Sequence, residues 1–260
     1  MNYWQQQTNS KPLFPDLIWS KPEQLAQAGT LGIVGGNKLG FLVVANAYQA
    51  ALKTGIGEVK IVLPKDLKKP LGDIKGATFA PSNLSGSLAK DALEHLFSLN
   101  NETDGILLIG DAGRNTETQM LYETFFRDNL KTNPVIITRD SVDLLLGVMH
   151  EIIERPNIIL VLSFSQLQKV FQSVYYPVVL VHSIQTSKLV EAIHKFTITH
   201  PATITVFHND QFIVAKNGEV ITADFDRPTD IWQGNLPAKI AVWNVWNPTK
   251  PLEATVTALL

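Results

Sequence analysis

Short apolar runs alternate with stretches of helical spacing along most of the chain. The apolar runs end in Gly, Pro or polar residues, which is typical of buried strands, and they span 31–36, 58–64, 105–113, 134–140 and 157–163. Apolar residues spaced by three and four predict helices over 41–55, 87–99, 116–130, 141–154, 165–174 and 187–196. This alternation predicts an α/β fold, with a mostly parallel central sheet and helices on both faces.

The pattern changes near the end of the chain. Residues 202–223 alternate with a period of two and predict an antiparallel meander that turns at Asn209-Asp210 and Asn217-Gly218. A further apolar run at 177–183 precedes it, and helical spacing returns from Pro237. Residues 1–28 are polar and proline-rich, so we expect an N-terminal arm followed by a single domain over 29–260.

Composition excludes several classes of protein. Hydrophobic residues make up 45% of the 260 and charged residues 18%, which indicates a globular chain. The formal net charge of −2 argues against a nucleic-acid-binding protein. The chain contains no cysteine, which excludes disulfides and thiolate metal sites. No signal peptide or membrane-spanning run is recognised, so we expect a cytoplasmic protein without a membrane partner.

Two glycine-bearing loops follow predicted strands, GGNKLG (35–40) and GDAGRN (110–115). Ligands of such sheets bind at the carboxyl ends of the strands, and glycines let backbone amides approach an anion closely. The alternative is that these glycines only end strands. Neither loop has the Gly-Lys-Ser/Thr of a P-loop or a complete dinucleotide fingerprint.

A third candidate region is RPTDIWQGN (227–235). Asp230 within it is interpreted either as a helix N-cap or as a general base beside anion-binding amides. No spacing typical of metal ligands occurs, and no Gly-x-Ser-x-Gly is present, so neither a metal centre nor a serine hydrolase is predicted.

Taken in order, these motifs resemble the ribokinase-like superfamily, and within it the ADP/ATP-dependent NAD(P)H-hydrate dehydratases. The family's strand ending in Gly-Gly and its Ala-rich helix are resembled by 31–64, and its Gly-Pro-Gly-Leu-Gly loop by 107–118. Its Asp-Ala-Asp strand is resembled by 133–145, and its Gly-Ser-Gly-Asp-Val-Leu-Ala-Gly segment with the helices after it by 227–260. The resemblance implies a three-layer ribokinase-like sandwich with a late antiparallel meander.

The resemblance also implies a function, the nucleotide-dependent dehydration of hydrated NADH or NADPH by a carbon–oxygen lyase. Asp230 would be the catalytic base. The hydrated substrate would be bound by the two glycine loops, at Gly35, Gly36, Asn37, Gly40, Phe41, Gly110, Asp111, Gly113 and Arg114. Nucleotide phosphates would be bound at Arg227, Thr229 and Gly234. ADP or ATP would be the co-substrate, and Mg²⁺ could be required with it. The protein would be a homo-oligomer.

The sequence departs from the family at several of these positions. The two glycines before the catalytic Asp are Arg227 and Thr229 here, and Pro228 between them has no N–H to donate. The family's substrate-contacting His falls near Phe164, and its nucleotide-binding Lys-Gly falls at about His200-Pro201. Two alternatives therefore stay open, a kinase of the same fold for a sugar or hydroxymethylpyrimidine, and a non-catalytic nucleotide-binding relative.

Overall fold

We analysed a computed structural model that describes residues 3–8, 10–128 and 131–260. Its strands form one ten-stranded sheet in the order β1-β10-β9-β8-β7-β6-β5-β2-β3-β4. The strands are β1 (Trp4–Gln7), β2 (Thr30–Gly35), β3 (Glu58–Pro64), β4 (Ala77–Ala80), β5 (Gly105–Gly110), β6 (Val135–Thr138), β7 (Ile158–Leu162), β8 (Thr203–His208), β9 (Gln211–Lys216) and β10 (Glu219–Asp224). Among these strands β9 alone pairs antiparallel to its neighbours, so the sheet is mostly parallel.

Helices cover both faces of this sheet. They are α1 (Pro15–Trp19), α2 (Leu42–Thr54), α3 (Lys68–Leu71), α4 (Leu93–Glu102), α5 (Thr116–Asp128), α6 (Asp140–Leu144), α7 (Met149–Ile152), α8 (Phe164–Ser173), α9 (Thr186–Thr199), α10 (Pro228–Trp232), α11 (Asn235–Trp246) and α12 (Pro251–Thr257). No helix in these described ranges is long and apolar enough to cross a membrane.

The central strands are buried on both sides, which explains their continuous apolar runs. In β5, Ile106 and Leu108 pack into the core that holds α4, α5, α8 and α9. Leu107 and Ile109 point the other way, into the core beneath α2, α11 and α12. Helix α11 covers the middle of that second face, between α2 and α12, and accordingly buries most of its residues.

The meander forms as its turn residues predict. Asn209 and Asp210 join β8 to β9 with φ of 49° and 57°, and Asn217 and Gly218 join β9 to β10 with φ of 50° and 80°. Two consecutive positive φ values match the right-handed twist of a hairpin, and Asn, Asp and Gly adopt them most readily. The predicted α/β fold with its late meander is confirmed.

The structure differs from the sequence-based prediction at several places. The helix predicted over 141–154 is broken into α6, a 3-10 turn at Leu146–Val148 and α7. The apolar run at 177–183 forms no regular element. Strands β1 and β4 were missed, and β1 is a strand because it pairs with β10, not because of its WQQQ sequence. Residues 129–130 of the helix predicted over 116–130 lie outside the described residues.

Candidate active site

The two glycine loops meet at the carboxyl edge of the sheet, because β2 and β5 are neighbours. The amide of Gly36 donates a 3.0 Å hydrogen bond to the carbonyl of Gly110. A Cβ atom on Gly35 would lie 2.3 Å from the same carbonyl oxygen, so this approach requires glycine. The structure thus places Gly35, Gly36 and Gly110 in one small cluster of backbone groups.

Asn37 ties the first loop to the second. Its side-chain amide nitrogen donates a 2.5 Å hydrogen bond to the carbonyl of Asp111. Its side-chain oxygen accepts the amide of Leu39 at 2.8 Å, and its backbone exchanges two hydrogen bonds with Gly40. Phe41 then precedes the first residue of α2, without a side-chain cap. The loop is therefore held by its own backbone and by Asp111.

Arg139, at the end of β6, was not among the predicted site residues. Its Nη2 lies 2.6 Å from Oδ1 of Asp111, and both side chains are about three-quarters buried. Its Nη1 donates a 2.5 Å hydrogen bond to the carbonyl of Trp232 in α10. Arg139 and Asp111 have positive φ values of 54° and 53°, which is strained for residues with a side chain. One guanidinium thus connects the second loop to the helix that carries Asp230.

Asp140 contacts the second glycine loop through its carboxylate. Its Oδ2 accepts the amide of Gly113 at 3.2 Å. A Cβ atom on Gly110 would lie 2.3 Å from its Oδ1, so Gly110 leaves room for the carboxylate. Burial, and then the negative charge of Asp111, raise the pKa of Asp140, and Arg139 opposes the shift. Both residues after β6 thus belong to this edge, and the rule that selected the glycine loops would have found them.

Helix α8 braces Arg139. Ser163 caps α8 in a capping box with Gln166, whose side-chain nitrogen donates a 2.6 Å hydrogen bond to the carbonyl of Arg139. Phe164, which follows Ser163, is buried against the rings of His182 and His208, with centroid distances of 4.8 and 4.7 Å. Phe164, which the resemblance matches to the family's substrate-contacting His, thus lies in an aromatic cluster. His208 ends β8 at the carboxyl edge.

His200 is not part of this edge. It precedes β8, at the amino ends of the strands, where its Nδ1 lies 2.7 Å from the Glu154 carboxylate. His200 and Pro201, which the resemblance matches to the family's nucleotide-binding Lys-Gly, therefore lie at the edge of the sheet opposite the glycine loops. Arg114, within the second loop, is exposed.

Asp230 lies in the first turn of α10. Its Oδ1 accepts a 3.1 Å hydrogen bond from the side-chain amide of Asn235, and its Oδ2 is 3.7 Å from Nη1 of Arg227. It lines an open groove of about 760 Å³ between α2 and α11, together with Lys239. Burial and the charge of Arg227 lower the pKa of Lys239, and Asp230 opposes this shift. The glycine loops do not line this groove.

Two further residues of the predicted phosphate site have different roles. Thr229 is exposed in α10. Gly234 separates α10 from α11 with a φ of 89°, and a Cβ atom there would lie 2.9 Å from Cγ1 of Val43 and 3.3 Å from Cδ1 of Ile109. Gly234 thus lets the α10–α11 corner pack against the start of α2 and the end of β5. Among the described residues, no three His, Cys, Asp or Glu side chains are grouped to hold a metal.

Among known proteins, only solved structures are similar to this chain. No family model and no curated protein matches the chain. A ribokinase-like superfamily protein from Enterococcus faecalis superposes with a TM-score of 0.70, at 14% identity, over 99% of this chain and 86% of that one. This chain has the ribokinase-like fold.

Other structures with the ribokinase-like fold carry named activities. The ADP/ATP-dependent NAD(P)H-hydrate dehydratase from Bacillus subtilis, co-crystallised with ATP and Mg²⁺, has a TM-score of 0.61 at 14% identity, covering 96% of this chain and 87% of that one. A phosphomethylpyrimidine kinase from Clostridium difficile has a TM-score of 0.52 at 10% identity, covering 88% of this chain and 96% of that one. The predicted fold is confirmed, and the neighbours that share it include both a dehydratase and a kinase.

Proposed function

We propose that this chain is a divergent, nucleotide-dependent dehydratase of hydrated NADH or NADPH. The observation that supports this most directly is the chain of contacts from Asn37 through Asp111 and Arg139 to Trp232. It joins the two glycine loops to α10, the helix that carries Asp230. Phosphoryl transfer to a hydroxyl group requires the base at the bound substrate, so in this proposal the Asp230 side chain must turn from the groove between α2 and α11 toward the loops.

Each group has a role in this proposal. The loops containing Gly35, Gly36, Asn37, Gly110 and Asp111 would hold the hydrated nicotinamide. Asp230 would accept the proton of its hydroxyl group as that oxygen attacks the terminal phosphoryl group of ADP or ATP, which releases the shortened nucleotide. Elimination of the new phosphate ester would then break the carbon–oxygen bond, release inorganic phosphate and a proton from the adjacent carbon, and restore the dihydronicotinamide. Mg²⁺ would enter on the nucleotide phosphates, which are its usual ligands in such sites.

Phosphate binding would differ from that of a glycine-rich loop. Pro228 donates no N–H at the start of α10, so a backbone anion hole is incomplete there. The side chains of Arg227 and Lys239 flank Asp230 and would supply the positive charge for phosphate binding instead of backbone amides. Homo-oligomer formation remains a prediction from the family resemblance, and a cytoplasmic location remains a prediction from the sequence.

Two alternatives have specific support. Similarity to phosphomethylpyrimidine kinase favours a kinase for a small hydroxyl compound, which would stop after phosphoryl transfer. Pro228 and the hydrogen bond between Asp230 and Asn235 favour a non-catalytic relative, because the amide is missing and the base is engaged. The first alternative releases a phosphorylated product, and the second releases none.

The deciding experiment follows dihydronicotinamide absorbance when the protein meets hydrated NADH with ADP or ATP and Mg²⁺. We expect recovery that needs nucleotide and that falls by about 10²–10⁴-fold in Asp230→Asn, the usual effect of losing a general base. Asp226→Asn is the matched control, since its carboxylate is also 3.7 Å from Arg227 but 95% exposed.

Three results would contradict the dehydratase proposal. The first is a folded protein that shows no recovery with either nucleotide. Phosphorylation of hydroxymethylpyrimidine by that protein would establish the kinase instead. A nucleotide-induced rise in melting temperature without any turnover would establish the non-catalytic relative.

A further inference from the structure

A second cleft lies at the opposite edge of the sheet, among the loops that enter the strands. It has a volume of about 1090 Å³ and is bounded by the connections before β2, β5, β6 and β7 and by the connection from α11 to α12. Five prolines line it, at Pro22, Pro134, Pro156, Pro248 and Pro251. Proline fixes its own φ, so these walls are preformed. The proposed active site does not use this cleft.

Lys216, the last residue of β9, lines the cleft with a buried side chain. Only 9% of the residue is exposed. Its Nζ donates hydrogen bonds to the carbonyls of Pro156 and Pro201, at 2.8 and 2.7 Å. A lysine ammonium carries three N–H donors, so the two carbonyls leave one donor for another acceptor. Neither carbonyl neutralises its charge.

Lys216 makes no ion pair within the part of the chain that the structure describes, although the charge of Glu253 acts on it from beyond contact distance. No carboxylate there lies within 4.0 Å of its Nζ. Of the two acids that line the cleft, Asp104 accepts the amide of Thr30 at 2.8 Å and Glu154 lies 2.7 Å from His200. Burial lowers the pKa of Lys216 to about 8, opposed by the charge of Glu253. A lysine this deeply buried is normally paired.

The charges around the cleft favour an anion. Lys131, Arg155 and Lys216 are the cationic side chains that line it, against the two carboxylates of Asp104 and Glu154. We propose that this cleft binds a small oxyanion, the carboxylate or phosphate of a metabolite, which pairs with the ammonium of Lys216. The site is separate from the proposed dehydratase site, and its existence does not depend on that activity.

The test measures the titration of Lys216 directly in the intact wild-type protein. Lysine labelled with ¹³C at Cε reports the protonation of each amine by NMR, and the resonance absent from Lys216→Met identifies residue 216. Should that variant not fold, Lys216→Arg gives the same assignment. The titration is repeated in sodium phosphate, in sodium malonate and in sodium chloride, at equal ionic strength.

An anion that pairs with the ammonium favours the charged form. We expect the midpoint of Lys216 to rise by half a pH unit or more in phosphate or in malonate relative to chloride. A rise in one arm alone identifies phosphate or carboxylate as the preferred group. The exposed Lys68 serves as the control, and its Cε resonance should respond alike to all three salts. The same midpoint for Lys216 in all three, whatever its value, would overturn the proposal.

Discussion

The guanidinium of Arg139 bridges the carboxylate of Asp111, 2.6 Å away, and the carbonyl of Trp232, 2.5 Å away. Asp111 follows β5 and Arg139 follows β6, so the ion pair crosses two adjacent strand ends. Both residues hold a strained backbone, which the pair stabilises. This side chain thereby links the carboxyl edge of the sheet to α10.

Removing Arg139 should destabilise the protein and weaken this connection. In Arg139→Met the partly buried carboxylate of Asp111 loses its partner, and we expect unfolding to become easier by about 1–3 kcal/mol. Arg139→Lys keeps the positive charge but cannot contact both partners as the guanidinium does, so its stability should lie between those of the wild type and Arg139→Met. Urea denaturation measures both variants. Arg114→Met is the control, and an equally large effect of that exposed substitution would contradict the role given to Arg139.

The close approach of the two loops should tolerate no side chain at Gly35. Gly35→Ala places Cβ against the carbonyl oxygen of Gly110, and we expect a loss of about 3 kcal/mol in the free energy of unfolding. Gly40→Ala is the matched control in the same loop, because nothing lies within 4 Å of its added Cβ. That variant should stay within about 0.5 kcal/mol of the wild type. Thermal and urea denaturation distinguish the two, and equal stabilities would contradict the packing described.

Lys216 should make stability depend on alkaline pH. Its pKa is about 8 in the folded chain and near the ordinary 10.5 in the unfolded chain. Between these values the unfolded chain binds more protons, so this group makes stability rise as pH increases from about 8 to 10.5. Below pH 8 both states are protonated and the contribution is constant.

The difference between wild type and Lys216→Met isolates that contribution from the other groups that titrate there. Urea denaturation at several alkaline pH values should show the rise in the wild type and its absence in the variant. Lys68→Met, which removes an exposed amine, should follow the wild type. If the stabilities of the wild type and Lys216→Met change with pH in parallel, burial does not lower the pKa of Lys216.

Restoring glycines before Asp230 should strengthen phosphate binding, if the chain has the proposed activity. The combined variant Arg227→Gly, Pro228→Ser, Thr229→Gly returns a backbone amide at residue 228 and opens the approach to α10. A single oxyanion donor typically contributes about 10²–10³-fold to rate, so we expect nucleotide-dependent turnover to rise by at least about tenfold.

Arg227→Gly alone is the control for this variant. It removes a cation without adding a donor at residue 228, and we expect its turnover to fall. Steady-state kinetics with ADP and ATP measure all three proteins. A fall in both variants would show that the side chain of Arg227, and not the missing amide, governs turnover.

Local rules were enough for much of the fold. The alternation of apolar runs and helical spacing predicted most of the central strands, since each follows from the burial of its own residues. The two turns of the meander followed from Asn, Asp and Gly at positions where φ must be positive. The two glycine loops were recognised for a similar reason, because a strand that ends in glycine at the carboxyl edge is visible without knowing its neighbours.

Tertiary structure decided the rest. WQQQ at 4–7 is a strand only because it pairs with the edge of β10. Gly147 lies in the 3-10 turn that interrupts the helix predicted over 141–154. Arg139 gained its role from the adjacency of β5 and β6 and from the packing of α10 near their ends. The sequence by itself determined the layers and the glycine loops, through periodicity and backbone freedom. Only the folded chain brought Asp111, Arg139 and α10 together, because contacts between residues far apart in sequence depend on how the layers pack.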